Sequence, residues 1–444
     1  MTSTLPTTRA GWYRRVWSMA WPIMMSNVSV PLVGIVDTAV VGHLPDATFI
    51  GAVALGAVVF SFLYWGFGFL RMGTTGLVAQ DLGARDFDEL RATLAHSLIL
   101  ATTLGLAILA LHNPAGDLAF WALDGSAEVE DIARQYYTVR VFAAPAALIN
   151  YVILGFAIGV QNTRAALALM LLLNITNVVL DLMFVIGFGW GVEGVAAASL
   201  ISEYTAAVFG LLLMHRMLLR LGGRWQSYRL FDRHRLKTLI GVNFNIFVRT
   251  LCLLFAFFHF TSVSARLGDI TLAANAVLLH LYTFMAYSLD GFAHAVEALA
   301  GAAFGARSRS AFVNAVHAST VCAFVVSIAY CIVYWAFGSS IVALITGIPE
   351  VRAMAGEYLP WLVLAPVVAV WSFQLDGIFI GTTRAVAMRN AMILSLVVFL
   401  VAVWLLLPEW GNHGLWAALT VLMLIRGITL GIYFPTIVRD LPAS

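Results

Sequence analysis

Three carboxyl groups inside long apolar runs are the residues of this chain best suited to chemistry. They are Asp37, Asp181 and Glu203. Asn174 and Asn177 precede Asp181 at spacings that would place all three on one face of a helix. If these runs cross a membrane, each ionisable side chain costs on the order of 3 kcal/mol to insert, so its presence indicates a function.

The chemistry that fits such groups is the binding and release of a proton or a small cation. Burial without a paired cation favours the protonated form of a carboxyl group. Amides lie near these acids in the sequence, and few basic residues are expected beside them. We therefore predict a proton- or cation-coupling site; the alternative is a set of neutral acids that only tie helices together. Its predicted members are Asp37, Asn174, Asn177, Asp181, Ser199 and Glu203.

A second group of acids lies in the C-terminal half of the chain. Asp290 and Glu297 are seven residues apart, which places them on one helix face, and Asp376 lies in a later run. Arg249 and Arg426 also lie inside apolar runs and could neutralise these acids. The three acids are secondary candidates for a cation site, and the alternative is a structural ion-pair network. No metal-ligand spacing such as HExxH occurs, so no metal site is predicted.

The runs that hold these residues are long enough to be membrane-spanning helices. Of the 444 residues, 61% are hydrophobic and 11% are charged, whereas about a quarter are charged in an ordinary soluble domain. This composition excludes a nucleic-acid-binding protein and argues against a soluble enzyme. A spanning helix needs roughly 20 mostly apolar residues. Twelve runs qualify: 17–42, 49–79, 92–112, 132–159, 165–188, 194–217, 239–265, 271–301, 311–337, 353–381, 387–407 and 413–436.

The basic residues alternate between the two sides of the predicted membrane. They concentrate at the N-terminus, in the even-numbered connections and at the C-terminus. Because positive residues mark the cytoplasmic side, both termini are expected there, which requires an even number of spans. We predict a multi-pass protein of the bacterial inner membrane, in contact with membrane lipids. The net charge of +2 implies no nucleic-acid partner, and a monomer is expected because nothing in the sequence requires an oligomer.

An internal repeat divides the chain into two halves. The tripeptide Gly-Ala-Arg at 83–85 recurs at 305–307, and glycines at 155 and 159 recur at 377 and 381, so that residue numbers differ by 222 in every case. Six spans per half make parallel repeats, an organisation found in transporters with a cavity between the halves. We therefore predict an all-α fold of twelve transmembrane helices in two homologous six-helix lobes. The predicted divisions are 1–215 for the N-lobe, 216–238 for a basic cytoplasmic linker and 239–444 for the C-lobe.

Two prolines in the first run predict a bend. Pro22 and Pro31 both precede Asp37. A proline inside a helix removes a backbone hydrogen bond and permits a kink. We predict that the helix bends at a proline and that the extent of the bend depends on the charge of Asp37. A fixed kink is the alternative.

Several long stretches resemble the multidrug and toxic compound extrusion (MATE) transporters, in particular their DinF-like branch. The stretches are 30–44 around Asp37, 71–76, 174–181, 287–298 and 375–384. The resemblance extends over essentially the whole chain. It implies a twelve-helix antiporter in two six-helix lobes that exports organic cations and other drugs in exchange for protons or sodium.

The resemblance also assigns roles to individual residues. It places the first-helix aspartate of DinF-like members at Asp37, with partners at Asn177 and Asp181, and the bend of that helix at Pro22. The C-lobe cation site described for the NorM branch is not cleanly reproduced by the acids of that half. Proton coupling through the N-lobe is therefore expected, with sodium as the alternative coupling ion.

The resulting expectation is a secondary active efflux antiporter for lipophilic, often cationic compounds. The sequence contains no GxxxxGK[ST] loop and no catalytic constellation, so neither enzyme activity, nor a cofactor, nor direct use of ATP is expected. A lipid-linked oligosaccharide flippase of related architecture is the first alternative, although the identified charges of the N-half are acidic. A membrane protein without transport activity is the second.

Overall fold

A computed structural model describes residues 6, 8–42, 47–123, 127–230 and 232–442. These residues form helices and short connections, and no strand occurs among them. The helices are α1 (Arg9–Val41), α2 (Ala47–Gly66), α3 (Phe69–Ala84), α4 (Phe87–Ala110), α5 (His112–Leu123), α6 (Ala127–Arg140), α7 (Ala144–Gly159), α8 (Thr163–Asp181), α9 (Gly191–Leu221), α10 (Ser227–Leu230), α11 (Arg233–Arg266), α12 (Asp269–Gly305), α13 (Arg309–Ile345), α14 (Pro349–Gly381), α15 (Ala385–Trp410) and α16 (Asn412–Arg439).

The helices supply the twelve predicted membrane crossings. Within the described ranges, eleven segments are long and apolar enough to span a membrane. The 33-residue helix α1 is the twelfth. Three crossings consist of two elements each: α2 with α3, α6 with α7, and α8 with a π-helical turn over Leu182–Gly187. Each of the twelve apolar runs coincides with one crossing, so the predicted number of spans is confirmed.

Backbone conformation repeats with the same spacing as the sequence. Four residues other than glycine have positive φ in the described chain, and they form two pairs whose numbers differ by 222. Arg85 and Arg307 have φ of 57° and 53°, and Gln161 and Thr383 have φ of 61° and 54°. Each follows the C-terminus of a helix. Left-handed conformations are uncommon for such residues, so this recurrence supports the internal repeat independently of sequence identity.

Close helix contacts at glycine follow the repeat as well. A Cβ atom on Gly155 would lie 2.5 Å from the carbonyl oxygen of Arg71, and one on Gly377 would lie 2.3 Å from that of Ala293. Adding 222 to the numbers of Gly155 and Arg71 gives Gly377 and Ala293, so the second contact repeats the first. The glycines of the repeat are therefore required where two backbones touch.

Two further glycine contacts, both between α3 and α12, are also related by the repeat. A Cβ atom on Gly83 would lie 1.9 Å from the carbonyl oxygen of Ala302, and one on Gly305 would lie 2.1 Å from that of Gln80. Adding 222 to Gly83 gives Gly305, and subtracting 222 from Ala302 gives Gln80, so the repeat exchanges the two partners. These residues hold the end of α3 against the end of α12.

The helices pack into two compact units that differ in part from the predicted lobes. One unit comprises 25–78 and 86–239, and the other comprises the described residues of 3–24, 79–85 and 240–444. The linker 216–238 thus packs with the first unit. Helix α1 contributes to both units, and the division falls between Met24 and Met25, two residues after Pro22. Because proline cannot donate to the carbonyl of Ser18, the backbone hydrogen bonding of α1 is weakened beside this division.

The linker is held against the start of α4 by ion pairs. The guanidinium of Arg229 contacts Asp86 at 2.9 Å and Glu89 at 3.0 Å. Arg91 of α4 donates to the carbonyl oxygens of Leu218 and Gly222 at the end of α9, both at 2.9 Å. The basic residues of the linker therefore bind partners in their own unit as well as contributing positive charge.

We expect Gly377→Ala to destabilise the protein by about 3 kcal/mol, because the new methyl group meets a backbone carbonyl that cannot move aside. Gly356→Ala in the same helix is the matched control, since a Cβ atom there meets nothing within 4 Å. Thermal unfolding of the purified protein in detergent measures both. Equal melting temperatures for the two variants would contradict the glycine contact.

Candidate ion-coupling site

Asp37 and Asp181 form a carboxyl pair between α1 and α8. Their carboxyl groups lie close together and interact with each other. Asp181 is fully buried at 0% exposure, and neither of its oxygens accepts a hydrogen bond from any other described residue. Asp181 also ends the α-helical part of its span, where the π-helical turn begins. Such turns are rare and occur frequently at functional sites.

The closeness of these two acids favours a shared proton. A carboxylate only accepts hydrogen bonds, so two carboxyl groups can bond to each other only when one is protonated. Two adjacent negative charges in an apolar interior are also unfavourable. Acids in this arrangement titrate as a unit rather than as two independent groups.

The two asparagines of α8 connect this helix to its neighbours. From Leu171 to Asp181 the buried residues are Asn174, Asn177 and Asp181, as expected for one helix face. The amide of Asn177 donates to Ser199 Oγ of α9 at 3.3 Å. The amide of Asn174 donates to Ser29 Oγ of α1 at 2.6 Å. Asn174 thus links the acid-bearing helix to α1 through a residue that the sequence analysis did not select.

Glu203 is held on α9 by an asparagine from α7. The Nδ2 atom of Asn150 donates to Glu203 Oε2 at 2.7 Å and to the backbone oxygen of Glu203 at 3.0 Å. Asn150 is buried, so the carboxyl group has a fixed partner inside the unit. Asn150 was not predicted because its partner lies 53 residues away in the sequence.

Arg140 is the charged residue of this region that the sequence analysis missed. It ends α6, where a 3-10 turn over Val141–Ala143 leads into α7. Its guanidinium carbon lies 5.1 Å from the ring centre of Phe60 and 5.2 Å from that of Tyr136. It also interacts electrostatically with Asp37, Asp181 and Glu203.

The position of Arg140 corrects the expectation of few cations beside the N-lobe acids. The sequence alone could have identified Arg140 as a candidate, because it lies well inside the predicted run 132–159. An arginine within a span indicates function for the same reason as an aspartate. It was overlooked because the basic residues had been used to assign the sides of the membrane.

Several buried polar atoms in the same unit have no hydrogen-bond partner among the described residues. They include the hydroxyl groups of Tyr64 and Tyr136 and the side-chain oxygens of Asn150 and Asn177. Most buried polar groups in proteins are paired, and exceptions concentrate where a protein binds or reacts. The two oxygens of Asp181 belong to this class, which supports a functional site at the Asp37–Asp181 pair.

The C-lobe acids are in a different electrostatic environment. Asp376 on α14 forms ion pairs with Arg249 of α11 and Arg426 of α16, and all three residues are buried. Asp290 and Glu297 interact electrostatically with Arg249. The arginines therefore neutralise Asp376, as the ion-pair alternative predicted. No group of three or more His, Cys, Asp or Glu residues suited to a metal ion occurs in the part of the chain that the structure describes.

Comparison with known proteins gives consistent results. The MatE family model matches residues 22–183 and 246–405. DNA damage-inducible protein F of Escherichia coli K12 is 42% identical over 417 residues, which cover 94% of this chain and 91% of that protein. A MATE structure in the bent conformation matches with a TM-score of 0.87 at 22% identity, covering 98% of each chain. One in the straight conformation matches with a TM-score of 0.87 at 22% identity and 97% coverage of each.

The eleven apolar segments and helix α1 make this a polytopic membrane protein with the fold of the MATE structures. The chain belongs to the MatE family, the multidrug and toxic compound extrusion transporters. The resemblance to the DinF-like branch is confirmed as well. The roles of the individual polar residues stay predictions.

We expect Arg426→Met to destabilise the protein by about 3 kcal/mol, because it removes one side of a buried ion pair. Arg384→Met is the matched control, since Arg384 and its partner Asp440 are 42% and 49% exposed and an exposed pair contributes about 0.5 kcal/mol. Thermal unfolding in detergent distinguishes the two. Similar losses for both variants would mean that the buried pair has no special structural role.

Proposed function

We propose that this protein is a proton-coupled antiporter that exports lipophilic, often cationic compounds. The Asp37–Asp181 pair is the coupling site in this proposal. The observation that carries it is the closeness of Asp37 to the fully buried carboxyl group of Asp181, whose oxygens accept no hydrogen bond from any described donor. A bacterial inner membrane location with both termini in the cytoplasm is part of the proposal, and it accords with the concentration of arginine in the even-numbered connections.

Protons suit this site better than sodium. The adjacent carboxyl groups of Asp37 and Asp181 offer a ready binding position for one proton. In the C-lobe, Asp376 already has two guanidinium partners, which occupy the oxygens that a sodium ion would need. The secondary candidates Asp290 and Glu297 share the neighbourhood of Arg249. Sodium is therefore the less favoured coupling ion.

The proton transmits its effect through α1. In the proposed cycle, a proton from outside loads the pair, α1 bends, the substrate leaves, and release of the proton inside restores the first state. The contact between Asn174 and Ser29 couples α8 to α1 beside the pair. Pro22 weakens α1 where it passes between the two compact units. The bent and straight conformations recorded for MATE structures support a change of this kind.

The flippase alternative is less favoured. Recognition of a pyrophosphate would require an excess of cations at the site. Arg140 is one such cation, but it interacts with three acids. The balance of charge in this cluster therefore favours a proton or a cationic compound over a phosphate.

We expect Asp37→Asn to abolish ethidium efflux driven by a pH gradient, because an amide cannot exchange a proton. Efflux is measured in everted vesicles, with a pH gradient alone and with a sodium gradient alone. Asp131→Asn is the matched control, since Asp131 is an exposed acid on α6 and should leave efflux unchanged.

Equal expression and equal melting temperature must first show that the Asp37→Asn protein is folded. Proton-driven efflux that persists in this variant would refute the proposed site. Efflux driven by sodium and retained in the variant would move coupling to the C-lobe acids. Absence of efflux from the wild type under both gradients would direct attention to the flippase alternative.

A further inference from the structure

A groove lies between the beginning of α1 and the beginning of α13. Its volume is about 170 Å³, and its lining includes Arg9, Trp12 and Tyr13 of α1 and Asn314 and His317 of α13. All of these residues belong to the same compact unit, and none of them is a member of the ion-coupling site. The proposed antiport mechanism therefore does not account for this groove.

The polar side chains of the groove can all donate hydrogen bonds. Arg9 presents a guanidinium, Tyr13 a hydroxyl group, Asn314 an amide and His317 an imidazole N–H. None of the four forms a hydrogen bond or an ion pair with another described residue. No described acid lines the groove; α13 contains no aspartate or glutamate, and α1 contains none before Asp37. The groove therefore offers several donors and a positive charge without a counter-charge of its own.

The start of α13 differs in charge from the corresponding helix of the other repeat, α4. Asp86 and Ser308, whose numbers differ by 222, cap the two helices in the same way. Asp86 accepts from the backbone N–H of Glu89 at 2.9 Å, and Ser308 accepts from that of Ala311 at 3.4 Å. A serine and an alanine thus occupy the positions in α13 that are acidic in α4.

The acids of α4 neutralise neighbouring arginines. Asp86 contacts Arg229 at 2.9 Å, and Glu89 contacts both Arg229 and Arg235. Arg309 at the start of α13 is exposed, and it forms no ion pair with another described residue. Because the corresponding positions of α13 are uncharged, the positive charge beside the groove is left for an anion from outside the chain.

The groove lies at the level where lipid headgroups meet the protein. The predicted apolar runs of its two helices begin at residues 17 and 311, next to the residues that line it. Tryptophan and tyrosine, represented here by Trp12 and Tyr13, are enriched at this boundary of the membrane. Basic pockets between spanning helices bind the headgroups of anionic lipids.

We propose that this groove binds the phosphate of an anionic phospholipid. The oxygens of a phosphodiester accept hydrogen bonds from the four donors, and its negative charge is attracted to the Arg9 guanidinium. The bound lipid holds the beginning of α1, which precedes Pro22, against α13. This inference is independent of the transported compound and of the coupling ion.

Native mass spectrometry of the purified protein in detergent tests the inference by titration with phosphatidylglycerol and, separately, with phosphatidylcholine. Both lipids contain a phosphodiester, but only phosphatidylglycerol has a net negative charge. We expect one molecule of phosphatidylglycerol to bind at least about tenfold more tightly than phosphatidylcholine, because Arg9 and Arg309 repel the choline cation and favour the anionic lipid.

Two variants address the groove itself. The double variant Arg9→Met with His317→Leu removes two of the donors. Val313→Trp fills the groove without changing its charge, since Val313 lines it and is 45% exposed. Each should weaken the binding of phosphatidylglycerol by at least about tenfold, as expected when hydrogen bonds to a charged group are lost or blocked.

Arg220→Met and Val321→Trp are the matched controls, and both should bind phosphatidylglycerol as the wild type does. Arg220 is an exposed arginine at the end of α9, and Val321 is an exposed valine further along α13. The first control removes a positive charge elsewhere, and the second adds the same bulky side chain outside the groove.

Three results would overturn the inference: equal affinity of the wild type for the two lipids, wild-type affinity in both groove variants, or the same loss of affinity in Arg220→Met. The last result would mean that overall positive charge attracts the lipid. Glycerol 1-phosphate, which has the phosphate without acyl chains, should bind more weakly than phosphatidylglycerol; equal or tighter binding would assign the groove to a soluble phosphate instead. If the double variant does not fold, Val313→Trp decides. The measurement needs no transport, so its failure leaves the antiport proposal standing.

Discussion

A hydrogen bond between two buried carboxyl groups exists only while one of them holds a proton. In this protein Asp37 on α1 and Asp181 on α8 form the pair that is close enough for such a bond. The remaining polar contacts of the N-lobe site are arranged around this pair, because each fixes a helix that presents or supports one of the acids. In the proposed mechanism, a change in protonation changes an attraction between two helices into a repulsion, so that a chemical event has a mechanical result.

The two lobes share a backbone repeat but not a polar site. Glycine contacts and left-handed residues recur at one constant offset between the halves of the chain. At the same offset, Asn177 and Asp181 correspond to Phe399 and Val403, which are buried and apolar. The C-lobe instead joins Asp376 to two arginines. The proposed coupling acids of the N-lobe, in contrast, lie beside each other.

Much of the fold could be predicted because its determinants are local. The twelve crossings follow from apolar runs, and the repeat follows from glycines at a constant offset. Residue type and helical spacing identified Asp37, Asn177 and Asp181 as candidates. The hydrogen bond of Asn174 to Ser29 and the position of Arg140 could not be predicted, because they depend on which helices pack together. Residues 145 positions apart in the chain meet in the first case.

The division of α1 between two packing units has a consequence for biosynthesis. Trp17, near its start, packs edge to face against Phe292, with ring centres 5.2 Å apart. At translation rates of about 5–20 residues per second, Phe292 is made on the order of 15 to 55 seconds after Trp17. During that interval the beginning of the first helix lies in the lipid without its final neighbours, whereas its later turns can already pack against α8. Helix α1 therefore completes its tertiary contacts only after α12 has been made.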